Sequence, residues 1–173
     1  MSPTYRIRRL AMPEAREAAS ALADVLFDCV MGGASVSFMA DMTREDAVAF
    51  WRGEIDADDG RAILAAEDDE GLFGVVQVVP AWPPNQPHRA DIAKLLVHRR
   101  ARGRGAADAL MAAAEDAARE MNRTVLVLDT VTGGAAERLY EKRGWTRVGV
   151  IPDYALMPDG ALTATTVFYK TLA

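Results

Sequence analysis

An α/β fold with a mixed sheet is predicted for this chain, and three observations carry the prediction. A run of strand formers, Ile92-Ala93-Lys94-Leu95-Leu96-Val97, passes through two glycines into an alanine-rich stretch in which Ala106, Leu110, Ala113, Ala114, Ala117 and Met121 share one stripe at helical spacing. A short apolar strand over 124–129 follows; strand, helix and strand make a unit whose crossover implies parallel pairing. Upstream, apolar segments at 61–67 and 72–79 flank Asp68-Asp69-Glu70-Gly71, a polar connection that suits an antiparallel hairpin.

Taken in order, residues 4–10 read as a first strand. Pro13 then starts a helical segment whose Ala18, Leu22, Val25, Leu26 and Cys29 share a face and which stops near Gly32-Gly33. An apolar loop with small hydroxyls, 34–42, leads to Thr43-Arg44-Glu45-Asp46, the start of a second helix carrying Ala47, Phe50 and Trp51. That loop is suited to covering a pocket, although Phe38 and Met39 also read as plugs between two helices. The segment 80–88 holds four of the eight prolines and reads as a loop, with Trp82 and His88 either lining a site or ordering the surface. After the parallel unit, Gly133-Gly134 precedes a helix at about 135–143, stopped by Gly144. Strands at 146–151 and 163–170, separated by the Asp159-Gly160 turn, complete the chain.

Length and composition restrict the function. The 173 residues suit one domain, 1–173. No stretch approaches the ~20 apolar residues of a membrane span, and the amino terminus lacks a secretory leader, which predicts a cytoplasmic protein without a membrane partner. The single Cys29 cannot close an internal disulfide and reads as a buried helical thiol. One cysteine and two histidines make no zinc spacing, so no metal is expected. A net charge of −5 opposes nucleic-acid binding, yet arginines crowd at 99, 100, 102 and 104, a distribution that suits a small anion.

Those arginines surround the turn Val97-His98-Arg99-Arg100-Ala101-Arg102-Gly103-Arg104-Gly105. Glycine permits close backbone approach, and a helix N-terminus offers unpaired N–H groups and positive potential, so the turn suits a phosphate or pyrophosphate. A nucleoside-triphosphate P-loop needs Lys and Ser or Thr after its last glycine, where Ala106 and Ala107 stand. A dinucleotide fingerprint needs Gly or Ala three places after the second glycine, where this chain has Asp108.

Arg100-Ala101-Arg102-Gly103-Arg104-Gly105 instead resembles the Gln/Arg-x-x-Gly-x-Gly/Ala motif with which the GCN5-related N-acetyltransferase superfamily grips the pyrophosphate of acetyl-coenzyme A (acetyl-CoA). Leu139-Tyr140-Glu141-Lys142-Arg143-Gly144-Trp145 is similar to the superfamily's second signature. Within it, the segments 32–41, Leu128-Asp129-Thr130, Pro158-Asp159-Gly160 and 168–172 resemble the tabtoxin-resistance acetyltransferases, which acetylate an amino group of a β-lactam amino-acid toxin. This chain departs from the superfamily at Gly133, where many members carry Asn, and at Asp91, where the acid is often Glu.

The resemblance implies a mixed sheet of about seven strands with helices on both faces and one central parallel strand pair. It also implies an acetyl-CoA-dependent N-acetyltransferase acting on a small-molecule amine, as a monomer or a homodimer. Leu95, Leu96, Val97, Arg100, Arg102, Gly103, Arg104, Gly105 and Ala106 would hold acetyl-CoA, and Ser35, Phe38 and Asp41 would face the acceptor. An amine of pKa about 10 must lose a proton before it attacks a thioester. Asp91 and Asp129, each at an end of an apolar strand, are the candidate bases; Tyr140 is the candidate acid for the departing thiolate, with a core tyrosine as its structural counterpart. A non-catalytic acetyl-CoA sensor and a protein acetyltransferase remain competing readings.

Overall fold

The computed structural model describes residues 5–173; Thr4, the expected start of the first strand, lies outside them. Seven strands alternate with helices: β1 (Arg6–Leu10), α1 (Met12–Glu17), α2 (Ala19–Met31), α3 (Arg44–Asp56), β2 (Ala62–Asp68), β3 (Gly71–Pro80), β4 (Arg89–Val97), α4 (Ala106–Glu120), β5 (Val125–Val131), α5 (Ala135–Lys142), β6 (Thr146–Leu156) and β7 (Leu162–Thr171). They form one sheet in the order β1-β2-β3-β4-β5-β7-β6. Among the described residues only the central β4–β5 pair is parallel, as the crossover through α4 requires.

The sheet is buried on both faces at β2 and β3, and its β6 edge is exposed. In β2, Ile63 and Ala65 face a core with Leu22, Val25, Leu26, Trp51 and Ile55 of α2 and α3, while Leu64 and Ala66 face Leu110, Met111 and Ala114 of α4. That is why this strand reads as an unbroken apolar run rather than an alternating one. At Gly74 of β3 a Cβ would stand 3.1 Å from Leu110 Cδ1 and 3.2 Å from the Ala66 Cβ, so glycine allows α4 to lie close on the sheet.

Two local departures from the sequence reading, and one helix start that agrees with it, are informative. The first helical segment is two helices, because the chain bends at Ala18 (φ −82°, ψ 0°), and apolar spacing does not register a one-residue bend. The start at Thr43 is as read: Asp46 N–H donates to Thr43 Oγ1 (3.1 Å) and Thr43 N–H to Asp46 Oδ2 (2.9 Å). β6 runs to Leu156, five residues beyond the expected end, through an irregularity between Ile151 and Ala155 that Pro152-Asp153 disguises as a stop.

Two irregularities of β4 create the site. β4 and β5 pair only at Arg89↔Val125, Ala90↔Leu126 and Asp91↔Val127, after which they part. On its other side, β4 meets β3 at Leu96↔Val75 and at Ala93↔Gln77, so three steps on β4 match two on β3. The extra residue makes a bulge, and Lys94 takes the left-handed backbone conformation there (φ 52°).

Candidate active site

The turn after β4 is a rigid cradle. His98 N–H donates to the Phe73 carbonyl (2.8 Å), residues Arg99–Ala101 form a single 3-10 turn, and Gly103 and Gly105 adopt φ 76° and 78°. Gly105 caps α4, leaving the first-turn N–H groups of Ala106, Ala107 and Asp108 without intrahelical acceptors.

The arginines do not form the single anion cluster that their spacing suggests. Arg99 Nε donates to Asp28 (2.8 Å); Arg100 and Arg104 both bond Asp68 (3.1 and 2.8 Å) and lie over the Phe73 ring. Only Arg102 of the four lines the cleft, with Nε donating to the Val97 carbonyl at 3.2 Å. Arg100 and Arg104 hold the Asp68 carboxyl well below its usual range, at about 2. Much of the cluster's charge is therefore neutralised within the fold, and the turn's offering to an anion is mainly its backbone and the helix N-terminus.

Where β4 and β5 part, a largely apolar cleft of about 610 Å³ opens. Leu95, Leu96 and Val97 supply one wall, Thr130 and Val131 of β5 the opposite one, and Ala135, Ala136 and Leu139 of α5 close the side. Gly105, Ala107 and Asp108 stand at the end beside the turn, while Arg100, Gly103, Arg104 and Ala106 do not line the cleft. Cys29 also lines this cleft, nearly buried, with Sγ 3.5 Å from the Val97 carbonyl; burial pushes the thiol's pKa up.

A second cavity of about 410 Å³ adjoins the first, sharing Ser35 and Val131 with it. Ser35, Ser37 and Phe38 of the loop after α2 form its roof, and Asp129, Tyr154 and Thr165 lie across from them. Ser35 Oγ donates to the Leu156 carbonyl (2.9 Å) and the Ala40 N–H to the Pro158 carbonyl (3.0 Å), which ties the loop to the β6–β7 hairpin. Phe38 lines the cavity and packs edge-on against Phe50 of α3 at 5.2 Å. Asp41 lies outside, in a neighbouring surface recess. Trp82 is 90% exposed and lines neither cavity.

The two candidate carboxylates differ sharply in setting. Asp129 sits two residues past the last parallel pair, in the opening, and accepts a hydrogen bond from Thr165 Oγ1 (2.7 Å). Asp91 is the last paired residue of β4, lies outside both cavities, and is ion-paired with Arg89 at 2.6 Å. Among the described residues no cluster of three His, Cys, Asp or Glu side chains could hold a metal ion, and no helix is long and apolar enough to cross a membrane.

A parted parallel pair with a glycine turn at one end and a carboxylate cavity at the other agrees with the family model that matches this sequence, "Acetyltransferase (GNAT) family", over residues 15–145. The chain belongs to the acetyltransferase (GNAT) family. Solved structures of similar fold include an N-acetyltransferase from Staphylococcus aureus Mu50, with a TM-score of 0.81 and 18% identity over 98% of this chain and 99% of that one. A ribosomal-protein-alanine N-acetyltransferase from Brucella melitensis has a TM-score of 0.78 and 22% identity, covering 96% and 99%. A phosphinothricin acetyltransferase from Sinorhizobium meliloti, in complex with acetyl-CoA, has a TM-score of 0.79 and 14% identity, covering 98% and 89%.

In this GNAT chain the second signature is a packing device; Leu139 lines the larger cleft, and Tyr140 lines neither cavity. Tyr140 is 5% exposed and packs against Trp145 and Phe168 (centroids 5.9 and 5.7 Å). Burial, and then the nearby Asp129 charge, push its phenol up to about 12. Trp145 Nε1, Arg143 Nη2 and Lys170 Nζ converge on the buried Glu115 carboxylate of α4 at 3.1, 3.1 and 3.0 Å. Burial alone would raise the pKa of Glu115, but these three donors bring it below the ordinary value. The cluster locks α5 onto α4 and so sets where Tyr140 stands.

Sequence reasoning missed Lys94. Its Nζ donates to Ser37 Oγ (3.3 Å) and lies over the Phe50 ring (5.4 Å), on the Asp129 side of the sheet. The available signal was a lone lysine inside an otherwise apolar strand run.

Proposed function

We propose that this GNAT protein transfers the acetyl group of acetyl-CoA directly to the amino group of a small molecule, the finer case being a β-lactam amino-acid toxin of the tabtoxin kind. The observation that carries the reading is the continuity of the two cavities along the β4–β5 opening, with the helix N-terminus at one end and Asp129 at the other. The fit to the donor is physical: the glycine cradle and the first turn of α4 suit a pyrophosphate, and the apolar cleft suits an extended pantetheine arm. When bound, acetyl-CoA supplies a thioester whose acyl carbon the amine attacks.

Asp129 takes a proton from the acceptor's ammonium, held in orientation by Thr165. Asp91, which emerges on the same face of the sheet one strand away, is a second carboxylate that Arg89 restrains. The bulge at Lys94 and the end of parallel pairing release backbone N–H groups from the ladder toward the opening, where they suit a developing oxyanion. Collapse of the adduct breaks the carbon–sulfur bond, and Tyr140, still protonated across the working pH range, gives its proton to the thiolate.

A non-catalytic acetyl-CoA sensor is the second reading, favoured by Gly133, which has no side chain to offer and whose N–H is bonded to Glu137 (2.9 Å). Thiol release over a panel of amines, amino acids and acceptor peptides, with mass spectrometry of the products, tests the proposal. Acetylated small amines are the expected result. Acetyl-CoA binding without release for any acceptor would establish the sensor, and acetylation of peptides alone would establish a protein acetyltransferase.

A further inference from the structure

We infer that Lys94 receives an acid group of the acceptor, so that the substrate is an amine that also carries a carboxylate or comparable anion, with its amino group facing Asp129 and its anion facing Lys94. The inference rests on the proposed transfer to a small amine and names the chemistry of that amine.

The bulge in β4 makes this possible. Without it Lys94 would follow the regular alternation of the strand; with it, the side chain leaves the ladder toward the loop that roofs the acceptor cavity. The ammonium meets Ser37 Oγ at 3.3 Å, and Ser37 is itself in left-handed backbone (φ 80°), as Lys94 is (φ 52°). Two non-glycine residues in that region in direct contact, Ser37 lining the acceptor cavity and Lys94 standing behind it, mark a contact kept despite local strain.

The charge around Lys94 points the same way. Among the described residues no carboxylate lies within ion-pair distance of it, although two acids are near enough to act on it electrostatically. One, Glu54, is held by Arg61, and the other, Asp129, is held by Thr165. Lys94 therefore presents a half-buried positive charge whose only polar partner among the described residues is a neutral hydroxyl. Burial keeps its pKa below the usual lysine value, which an incoming anion would reverse. A positive group and a negative group, close but not paired, on one side of the opening match the two ends of a zwitterion.

The test is thiol release with a panel of L-α-amino acids, each run beside its carboxamide and its decarboxylated amine. The free acids are expected to exceed their neutral counterparts in kcat/KM by roughly 10- to 100-fold, the range of a charged hydrogen bond. Lys94→Met should abolish that preference through KM, and Lys94→Arg should retain it. Both replacements place an L residue in the same backbone conformation, and unchanged acetyl-CoA binding by calorimetry confirms that the fold survives. Equal turnover of acids and amides by the unaltered protein, or a preference that persists in Lys94→Met, overturns the anchor while leaving acetyl transfer intact. A kcat loss in Lys94→Met that is the same for acids and amides would assign Lys94 to the chemical step instead. No turnover of any acid, amide or amine overturns the transfer reading and the anchor with it.

Discussion

Thr165 Oγ1 lies 2.7 Å from Asp129 Oδ2, where β5 has separated from β4 but is still paired with β7. The hydroxyl comes from the one neighbour the strand retains, so the carboxylate faces the opening in a fixed orientation.

Asp129→Asn is accordingly expected to lower kcat by roughly 10²- to 10⁴-fold, the usual range for a positioned base, with acetyl-CoA affinity unchanged. Asp91→Asn is expected to lose at most about tenfold, because its carboxylate is restrained by Arg89 outside the cavities. Steady-state thiol release on both variants measures the difference; equal losses would assign the base role to both acids.

Tyr140 has a folded pKa of about 12 against an ordinary 10, set by burial and by Asp129. The neutral phenol is favoured in the fold, so its contribution to stability is complete below pH 10 and is lost as pH rises from 10 through 12. Tyr140→Phe is expected to lower kcat by about 10²-fold and to flatten that alkaline loss of stability. Turnover of Tyr140→Phe equal to the unaltered protein at every pH would show that the phenol only packs.

Asp68 has a folded pKa of about 2 against 3.8, depressed by Arg100 and Arg104. Its contribution is present above pH 3.8 and is lost as pH falls from 3.8 through 2. Asp68→Asn removes the carboxylate that Arg100 and Arg104 share, and calorimetry is expected to show acetyl-CoA binding weakened by roughly two- to fivefold. Tighter binding would instead mean that arginine charge, rather than the shape of the turn, limits affinity.

Glu115→Ala leaves Arg143 and Lys170 without their shared buried partner. The expected loss is about 3 kcal/mol, seen as a fall of roughly 6–12 °C in Tm. Because the donors hold the folded pKa of Glu115 below normal, its stabilisation is complete above the ordinary carboxylate range and disappears as pH falls through the depressed value. A variant with unchanged Tm would show that α5 is held by its apolar face alone.

Much of the architecture was legible in the amino-acid order. The parallel pair followed from a strand, a helix of fixed stripe and a second strand, since that crossover has few geometric solutions. The helix start at Thr43 and the turn at Gly103 and Gly105 were legible because capping and left-handed backbone are local properties of residue type. The bend at Ala18 and the irregular continuation of β6 were not, because neither disturbs the apolar pattern in a distinctive way.

By itself the sequence determined the order of elements, the position of the glycine cradle and the identity of the polar residues near it. Tertiary structure alone decided what those residues face. Arg100 and Arg104 turn to Asp68 from the β2–β3 hairpin, Asp129 faces the opening while Asp91 is drawn to Arg89, and Lys94 leaves its strand at a bulge. The Arg89–Asp91 pair is local, but the Asp68 and Asp129 contacts depend on strand register, which brings together groups that lie far apart in the chain; no local propensity encodes it.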